Sequence, residues 1–150
     1  MKRIATALLT VSLSLATTSA LWAGDAPAAA PTCQKRPFKE VKSVTPFSLT
    51  HRVNSKKIHY DDISCGLKWR TKQCSSIQGG FDTGAMVYDF NTLAEITINQ
   101  ATFVQSPAIQ SPMGSGVAAF ATQADADAFL AQKGAGKKLS YQELLLIEWP

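Results

Sequence analysis

Apolar and polar residues alternate from Phe47 to Val53, which is typical of a β-strand with one buried face. The pair Asn54-Ser55 predicts a turn, and Ile58-His59-Tyr60 then resumes an extended pattern. The sequence therefore predicts a β-hairpin over residues 44 to 60.

A helix is predicted directly after this hairpin. Asp61 or Asp62 suits the N-cap position, because a side-chain oxygen there can accept a hydrogen bond from a free backbone N–H. The apolar residues that follow recur at helical spacing. We expect the helix to end before Cys74, within the polar run 73–80.

A second unit is predicted to begin at Ala85. It contains four apolar, strand-like segments, at residues 86–90, 95–98, 101–105 and 117–120. A loop rich in Pro and Gly, from Ser106 to Gly116, separates the last two segments and contains Met113.

Two helices are predicted after these strands. Thr122 is a favourable N-cap and Gly134 a favourable end for the first helix. Ser140 and Glu143 form a capping box that begins a short C-terminal helix. The predicted fold class is therefore α+β, with two strand-strand-helix units, small antiparallel sheets and a short C-terminal helix.

The N-terminus has the pattern of a secretory signal peptide. Lys2 and Arg3 precede an uncharged stretch, and Ala20 or Ala23 offers a cleavage site. We expect the following division: signal peptide over 1–23, disordered Ala/Pro-rich linker over 24–36, and domain over 37–150. The expected location is the periplasm, with no stable membrane insertion after signal cleavage.

Basic residues are concentrated in one part of the chain. Residues 33–72 contain ten Lys or Arg against three acids, whereas residues 73–132 contain five acids and no base. This asymmetry predicts a basic face that could dock an acidic partner protein or anionic headgroups. A merely solvated surface is the alternative, and nucleic acid does not suit an exported protein.

The chain carries no recognisable catalytic motif. It has no Gly-rich phosphate loop, no nucleophile elbow and no metal-hydrolase spacing, and it contains only two histidines. We therefore expect a protein that is not an enzyme.

Soft sulfur ligands remain as candidate chemistry, because Cys and Met select Cu(I). Met113 lies in Ser-Pro-Met-Gly-Ser-Gly, where no apolar periodicity predicts its burial. The residues alone leave two interpretations open for Met113: a metal ligand, or a side chain that packs the loop.

Several segments together resemble the NosL family of nitrous oxide reductase accessory proteins, over about residues 45 to 146. The matching segments are Met86-Val87-Tyr88-Asp89-Phe90, Ala101-Thr102-Phe103-Val104, Pro112-Met113-Gly114, Ala118-Ala119-Phe120, 125–129 and Gly136-Lys137-Lys138-Leu139. The resemblance implies a periplasmic Cu(I) carrier that delivers one ion per chain to a copper-receiving or copper-assembly partner. It places the family's methionine ligand at Met113. The family's N-terminal Cys-Gly-Met segment is missing, and its nearest counterpart is Cys33.

Three cysteines leave the disulfide pairing open. We expect a bond between Cys65 and Cys74, which leaves Cys33 free to bind copper with Met113. In the alternative, Cys33 pairs with Cys65 or Cys74, and the copper site loses its thiolate and is vestigial. The secondary ligand candidates are His51 and His59. The functional alternative is a non-metal interaction module that docks a partner through its basic half.

Overall fold

The computed structural model describes residues 32–149 as two antiparallel sheets with helices packed against them. The predicted signal peptide, and the linker up to residue 31, lie outside the described residues. The strands are β1 (Lys35–Pro37), β2 (Leu49–Val53), β3 (Lys56–Tyr60), β4 (Met86–Tyr88), β5 (Glu95–Thr97), β6 (Thr102–Gln105), β7 (Val117–Phe120) and β8 (Lys137–Leu139). The α-helices are α1 (Ile63–Thr71), α2 (Ser75–Gly84), α3 (Gln123–Lys133) and α4 (Tyr141–Leu144), and a 3-10 turn covers Phe38–Glu40. The predicted α+β class is confirmed.

The predicted hairpin is formed by β2 and β3. Asn54 and Ser55 have φ values of 46° and 64°, and positive φ at both central residues is the conformation that matches the twist of a two-residue hairpin. Leu49 pairs with Tyr60 and His51 with Ile58, so these four side chains share one face of the sheet.

The first sheet has the strand order β1-β3-β2-β4-β5, and the second has the order β7-β6-β8. The prediction that residues 86–98 belong to the second unit is therefore wrong. Val87 in β4 lies opposite Leu49 in β2, and both side chains are fully buried. A single parallel bridge between Asp89 and Ala119 connects the two sheets.

Helix α1 begins where the sequence predicts, with Asp62 as its N-cap. It ends at Thr71, before Cys74 as predicted, but most of the polar run 73–80 belongs to a second helix, α2, which the sequence did not indicate. Tertiary contacts stabilise this Gly-rich helix against its low propensity. Phe81 is 1 % exposed, and the Asp82 carboxylate accepts hydrogen bonds from Arg70 in α1 and from Tyr141 in α4.

The two C-terminal helices follow their predicted signals. The Thr122 side chain accepts a hydrogen bond from the Asp125 N–H, and Gly134 ends α3 with φ 81°. Ser140 and Glu143 form both hydrogen bonds of the capping box. Helix α4 ends at Leu144, earlier than the apolar run through Ile147 indicates.

The ordered domain extends further toward the N-terminus than residue 37. Residues Lys35–Pro37, which the sequence analysis assigned partly to the linker, form an edge strand that pairs antiparallel with β3. None of the helices within residues 32–149 is long and apolar enough to cross a membrane.

Candidate functional site: a sulfur-bearing junction of helix and loop

The carboxylate of Asp62 joins the start of α1 to the loop that contains Met113. Oδ1 accepts hydrogen bonds from the Ser64 N–H at 2.9 Å, the Ser64 hydroxyl at 2.7 Å and the Ser115 hydroxyl at 3.0 Å. Oδ2 accepts one from the Met113 N–H at 3.1 Å. Asp62 is fully buried, and these four donors satisfy a group whose burial would otherwise be costly.

Hydrogen bonds within the loop fix the backbone on both sides of Met113. The Gly114 N–H donates to the Ser111 carbonyl at 3.0 Å, and the hydroxyls of Ser111 and Ser115 lie 2.9 Å apart. Gly116 has φ 65°, and a Cβ there would lie 2.8 Å from the Ser106 carbonyl oxygen. The loop therefore requires glycine at this position.

The Met113 side chain is half-buried and packs against the larger hydrophobic core. Its position is therefore intermediate between the two interpretations that the sequence left open. A half-buried methionine can pack the loop and also offer its thioether to a soft ion.

Cys65 lies in the first turn of α1, three residues after the N-cap Asp62. Its N–H donates to the Asp62 carbonyl at 3.1 Å, and the side chain is 3 % exposed. Residues three apart on a helix share a face. Since Asp62 also accepts a hydrogen bond from the Met113 N–H, the turn that contains Cys65 and the loop that contains Met113 are both bonded to one residue.

Cys33 is brought to the same junction by the strand that follows it. The Gln34 N–H donates to Asp61 Oδ1 at 3.0 Å, and the Asp61 N–H donates to the Gln34 carbonyl at 3.4 Å. Cys33 forms a disulfide with Cys65, and their Cα atoms are 5.5 Å apart. The preferred pairing of Cys65 with Cys74 is therefore corrected to the alternative, in which Cys33 is not a free thiol.

Cys74 is the free cysteine of the described residues, and it is exposed at the N-cap of α2. Its sulfur lies 3.4 Å from the Ser76 hydroxyl. This hydrogen bond, together with those from nearby backbone N–H groups, lowers the pKa of the Cys74 thiol. Cys74 is therefore exposed at the start of α2 and does not form the predicted bond with Cys65.

His51 is buried among aromatic rings on the helix-covered face of the first sheet. Its ring centroid lies 4.5 Å from that of Trp69, 4.8 Å from that of Phe81 and 5.7 Å from that of Tyr60. Neither ring nitrogen has a hydrogen-bond partner among the described residues. Burial, reinforced by the charge of Lys35, lowers the pKa of His51 to about 4.

His59 lies on the opposite face of the same sheet, next to Phe38 at a centroid distance of 6.3 Å. It is 2 % exposed, and burial together with the charges of Arg36 and Lys57 lowers its pKa to about 4. Within residues 32–149, no hydrogen bond or aromatic contact joins either histidine to the Met113 loop. The structure therefore gives both a place in the packing of the sheet.

The described residues contain no group of three or more His, Cys, Asp and Glu side chains that could hold a metal ion. The candidate soft ligands near Asp62 are instead Met113 and the two cysteines, which the structure shows joined in a disulfide. Sequence reasoning found Asp62 only as a helix cap. Its second role, as the anchor of the methionine loop, depends on a contact between residues 51 positions apart that no local pattern indicates.

The fold is that of a small α+β domain whose candidate ligands for a soft metal ion are sulfur-bearing side chains. A family model described as NosL matches residues 32–145, and the chain therefore belongs to the NosL family. These are copper-associated accessory proteins, not enzymes, and they are generally exported. Comparison with curated proteins and with solved structures found no match.

Proposed function

We propose that this protein is a periplasmic Cu(I) carrier that delivers copper to a metalloenzyme or to an assembly partner. One Cu(I) ion binds at the junction of the α1 N-terminus and the 106–116 loop. Met113 supplies a thioether, and Cys33 supplies a thiolate in the reduced protein. Both donors are soft, and a site with few ligands suits release to an acceptor better than storage.

The observation that supports this proposal is the position of Asp62. Its two oxygens hold the Met113 backbone and the first turn of α1 together, and the Gln34–Asp61 hydrogen bonds bring Cys33 to the same turn. The N-terminal segment, the first helix and the loop, each of which carries one of the three sulfur residues, are thus hydrogen-bonded to two adjacent aspartates.

An anaerobic Cu(I) titration of the reduced, signal-free chain against a competing Cu(I) chelator tests the proposal. We expect one ion per chain, with affinity lowered about tenfold or more by Met113→Leu or Cys33→Ser. Met86→Leu is the matched control, because Met86 is also half-buried but lies within strand β4. No binding, or binding that is unaffected by Met113→Leu, would favour the non-metal interaction module.

The same proposal gives the exposed bases near Cys33 a role in docking the acceptor. Lys35, Arg36, Lys39 and Lys56 are exposed on β1, the following turn and β3. None of them forms an ion pair within residues 32–149. An acidic surface that binds Lys35 and Arg36 would lie beside Cys33, and so beside the copper.

Copper transfer to metal-free nitrous oxide reductase tests this docking role. The double variant Lys35→Glu with Arg36→Glu should slow transfer at low salt, and added salt should narrow the difference from wild type. The double variant Lys72→Glu with Lys133→Glu is the charge-matched control, since both bases are exposed and lie at the C-terminal ends of α1 and α3, outside β1 and β3. Equal rates for both variants would exclude the basic face as the docking surface.

A further inference from the structure

We propose that the Cys33–Cys65 disulfide is a redox gate on the copper site, and that Cys65 is a Cu(I) ligand when a dithiol opens it. This inference rests on the proposed function and adds a ligand and a means of control. Cu(I) then binds three sulfur atoms, from Cys33, Cys65 and Met113.

The bonded state withholds both cysteine ligands. Thiolate, and not disulfide sulfur, is the form of cysteine that binds metal. With Cys33 joined to Cys65, the Met113 thioether is the one sulfur ligand that these three residues still offer. A single thioether is a weak site, so the oxidised protein is expected to release Cu(I) or not to acquire it.

The disulfide is accessible to a reductant from one side. Cys33 is exposed, and it precedes a three-residue edge strand, whereas Cys65 is 3 % exposed. A dithiol attacks through one thiolate, forms a mixed disulfide at Cys33 and releases the Cys65 sulfur. Its second thiol completes its own ring disulfide and releases Cys33. Two electrons and two protons are thereby transferred from the dithiol to the protein.

The reduced site keeps its arrangement, because other bonds hold the two segments together. The Gln34–Asp61 hydrogen bonds remain, as does the pairing of Lys35 with Tyr60 and of Arg36 with His59. Cys33 therefore stays next to the first turn of α1. Binding of Cu(I) replaces the two thiol protons, and the three-sulfur centre carries a net charge of −1.

The experiment compares Cu(I) affinity in oxidised and reduced wild-type protein, with Cys74→Ser as the common background so that the exposed thiol does not contribute. We expect reduction to strengthen binding about 100-fold or more, and Cys65→Ser to lose about tenfold or more of that affinity in the reduced state. X-ray absorption at the copper edge should count three sulfur neighbours in reduced protein and two in Cys65→Ser.

Cys33→Ser is the matched control for folding, because it removes the same disulfide while it leaves Cys65 as a thiol. Circular dichroism of both variants verifies the fold. Reduced protein that binds Cu(I) with two sulfur neighbours, and with an affinity that Cys65→Ser leaves unchanged, would overturn Cys65 as a ligand. Oxidised protein that binds Cu(I) as tightly as reduced protein would overturn the gate. Either result leaves copper binding, and so the carrier, in place. Reduced wild-type protein that binds no Cu(I) would overturn the proposed function itself.

Discussion

The carboxylate of Asp62 accepts a hydrogen bond from the backbone N–H of Met113, 51 residues further along the chain. The same carboxylate caps α1. A residue that a helix needs for its own N-terminus thus also sets the position of the candidate ligand loop. Helix stability and loop position are coupled through one buried side chain.

We expect Asp62→Asn to lower the free energy of unfolding by about 2–4 kcal/mol, measured by urea denaturation. Both oxygens of Asp62 accept hydrogen bonds, whereas the asparagine side chain has only one oxygen and an NH2 group in place of the other. At least one buried donor therefore loses its partner. Hydrogen exchange at the Met113 amide should become faster in this variant, because that N–H donates to Asp62 Oδ2.

Asp61→Asn is the control for this change. Asp61 is only half-buried, and its side chain accepts one hydrogen bond from another residue, the Gln34 N–H. Its substitution should cost about 1 kcal/mol and leave exchange at Met113 unchanged. Equal losses for the two variants would contradict the role assigned to Asp62.

The disulfide predicts a specific pattern of thiol labelling. Under denaturing, non-reducing conditions, one thiol per chain should react with iodoacetamide, and peptide mapping should place it at Cys74. Label at Cys33 instead would show the Cys65–Cys74 bond.

Because the Cys33–Cys65 bond spans 32 residues, its removal in a Cys33→Ser, Cys65→Ser protein should cost about 4 kcal/mol of unfolding free energy.

The two buried histidines predict a loss of stability in acid. The pKa of each is about 4 in the folded protein, below the ordinary value of 6.5 that applies after unfolding. The unfolded chain therefore binds protons first, so the contribution is complete above pH 6.5 and is lost as the pH falls toward 4. Between pH 7.5 and 5, each histidine should account for about 2 kcal/mol.

His51→Phe separates this effect from other titrating groups. The imidazole nitrogens of His51 have no partner among the described residues, so an aromatic ring without them should not lower the unfolding free energy at pH 7.5. The loss between pH 7.5 and pH 5 should fall by about 2 kcal/mol relative to wild type. An unchanged pH dependence in urea denaturation would show that His51 is not responsible.

Local sequence signals predicted the elements whose stabilising contacts are also local. Thr122 and Ser140 accept hydrogen bonds from residues three positions away, and the Asn54-Ser55 turn joins adjacent strands. Such patterns can be read from a few consecutive residues.

The features that escaped prediction depend on distant partners. Helix α2 contains three glycines. It is stabilised by the burial of Phe81 and by the Arg70–Asp82 ion pair, and both depend on contacts with other parts of the fold. The pairing of Cys33 with Cys65 follows from the docking of β1 on β3, and periodicity does not reveal an edge strand of three residues. The candidate site was predicted only in part for the same reason. The local sequence indicated Met113 as a possible sulfur ligand in a loop, but it did not indicate the hydrogen bond from the Met113 N–H to Asp62.

The glycines on either side of Ser115 provide a matched pair for testing the loop conformation. Gly114 and Gly116 have φ values of 67° and 65°, so alanine pays a similar backbone cost at either position, about 1–2 kcal/mol. At Gly114 the new methyl meets open space, whereas at Gly116 it would lie 2.8 Å from the Ser106 carbonyl oxygen. We therefore expect Gly116→Ala to lower the unfolding free energy by at least about 1 kcal/mol more than Gly114→Ala in urea denaturation. Because the methyl at position 116 must displace the Ser106 carbonyl, and the Gly116 N–H donates to the Ser111 hydroxyl, Gly116→Ala should also weaken Cu(I) binding through Met113 more than Gly114→Ala does. Equal effects of the two substitutions on stability and on copper affinity would mean that the loop can adopt another backbone conformation. The conformation that Asp62 and Ser111 hold would then not be required for Cu(I) binding.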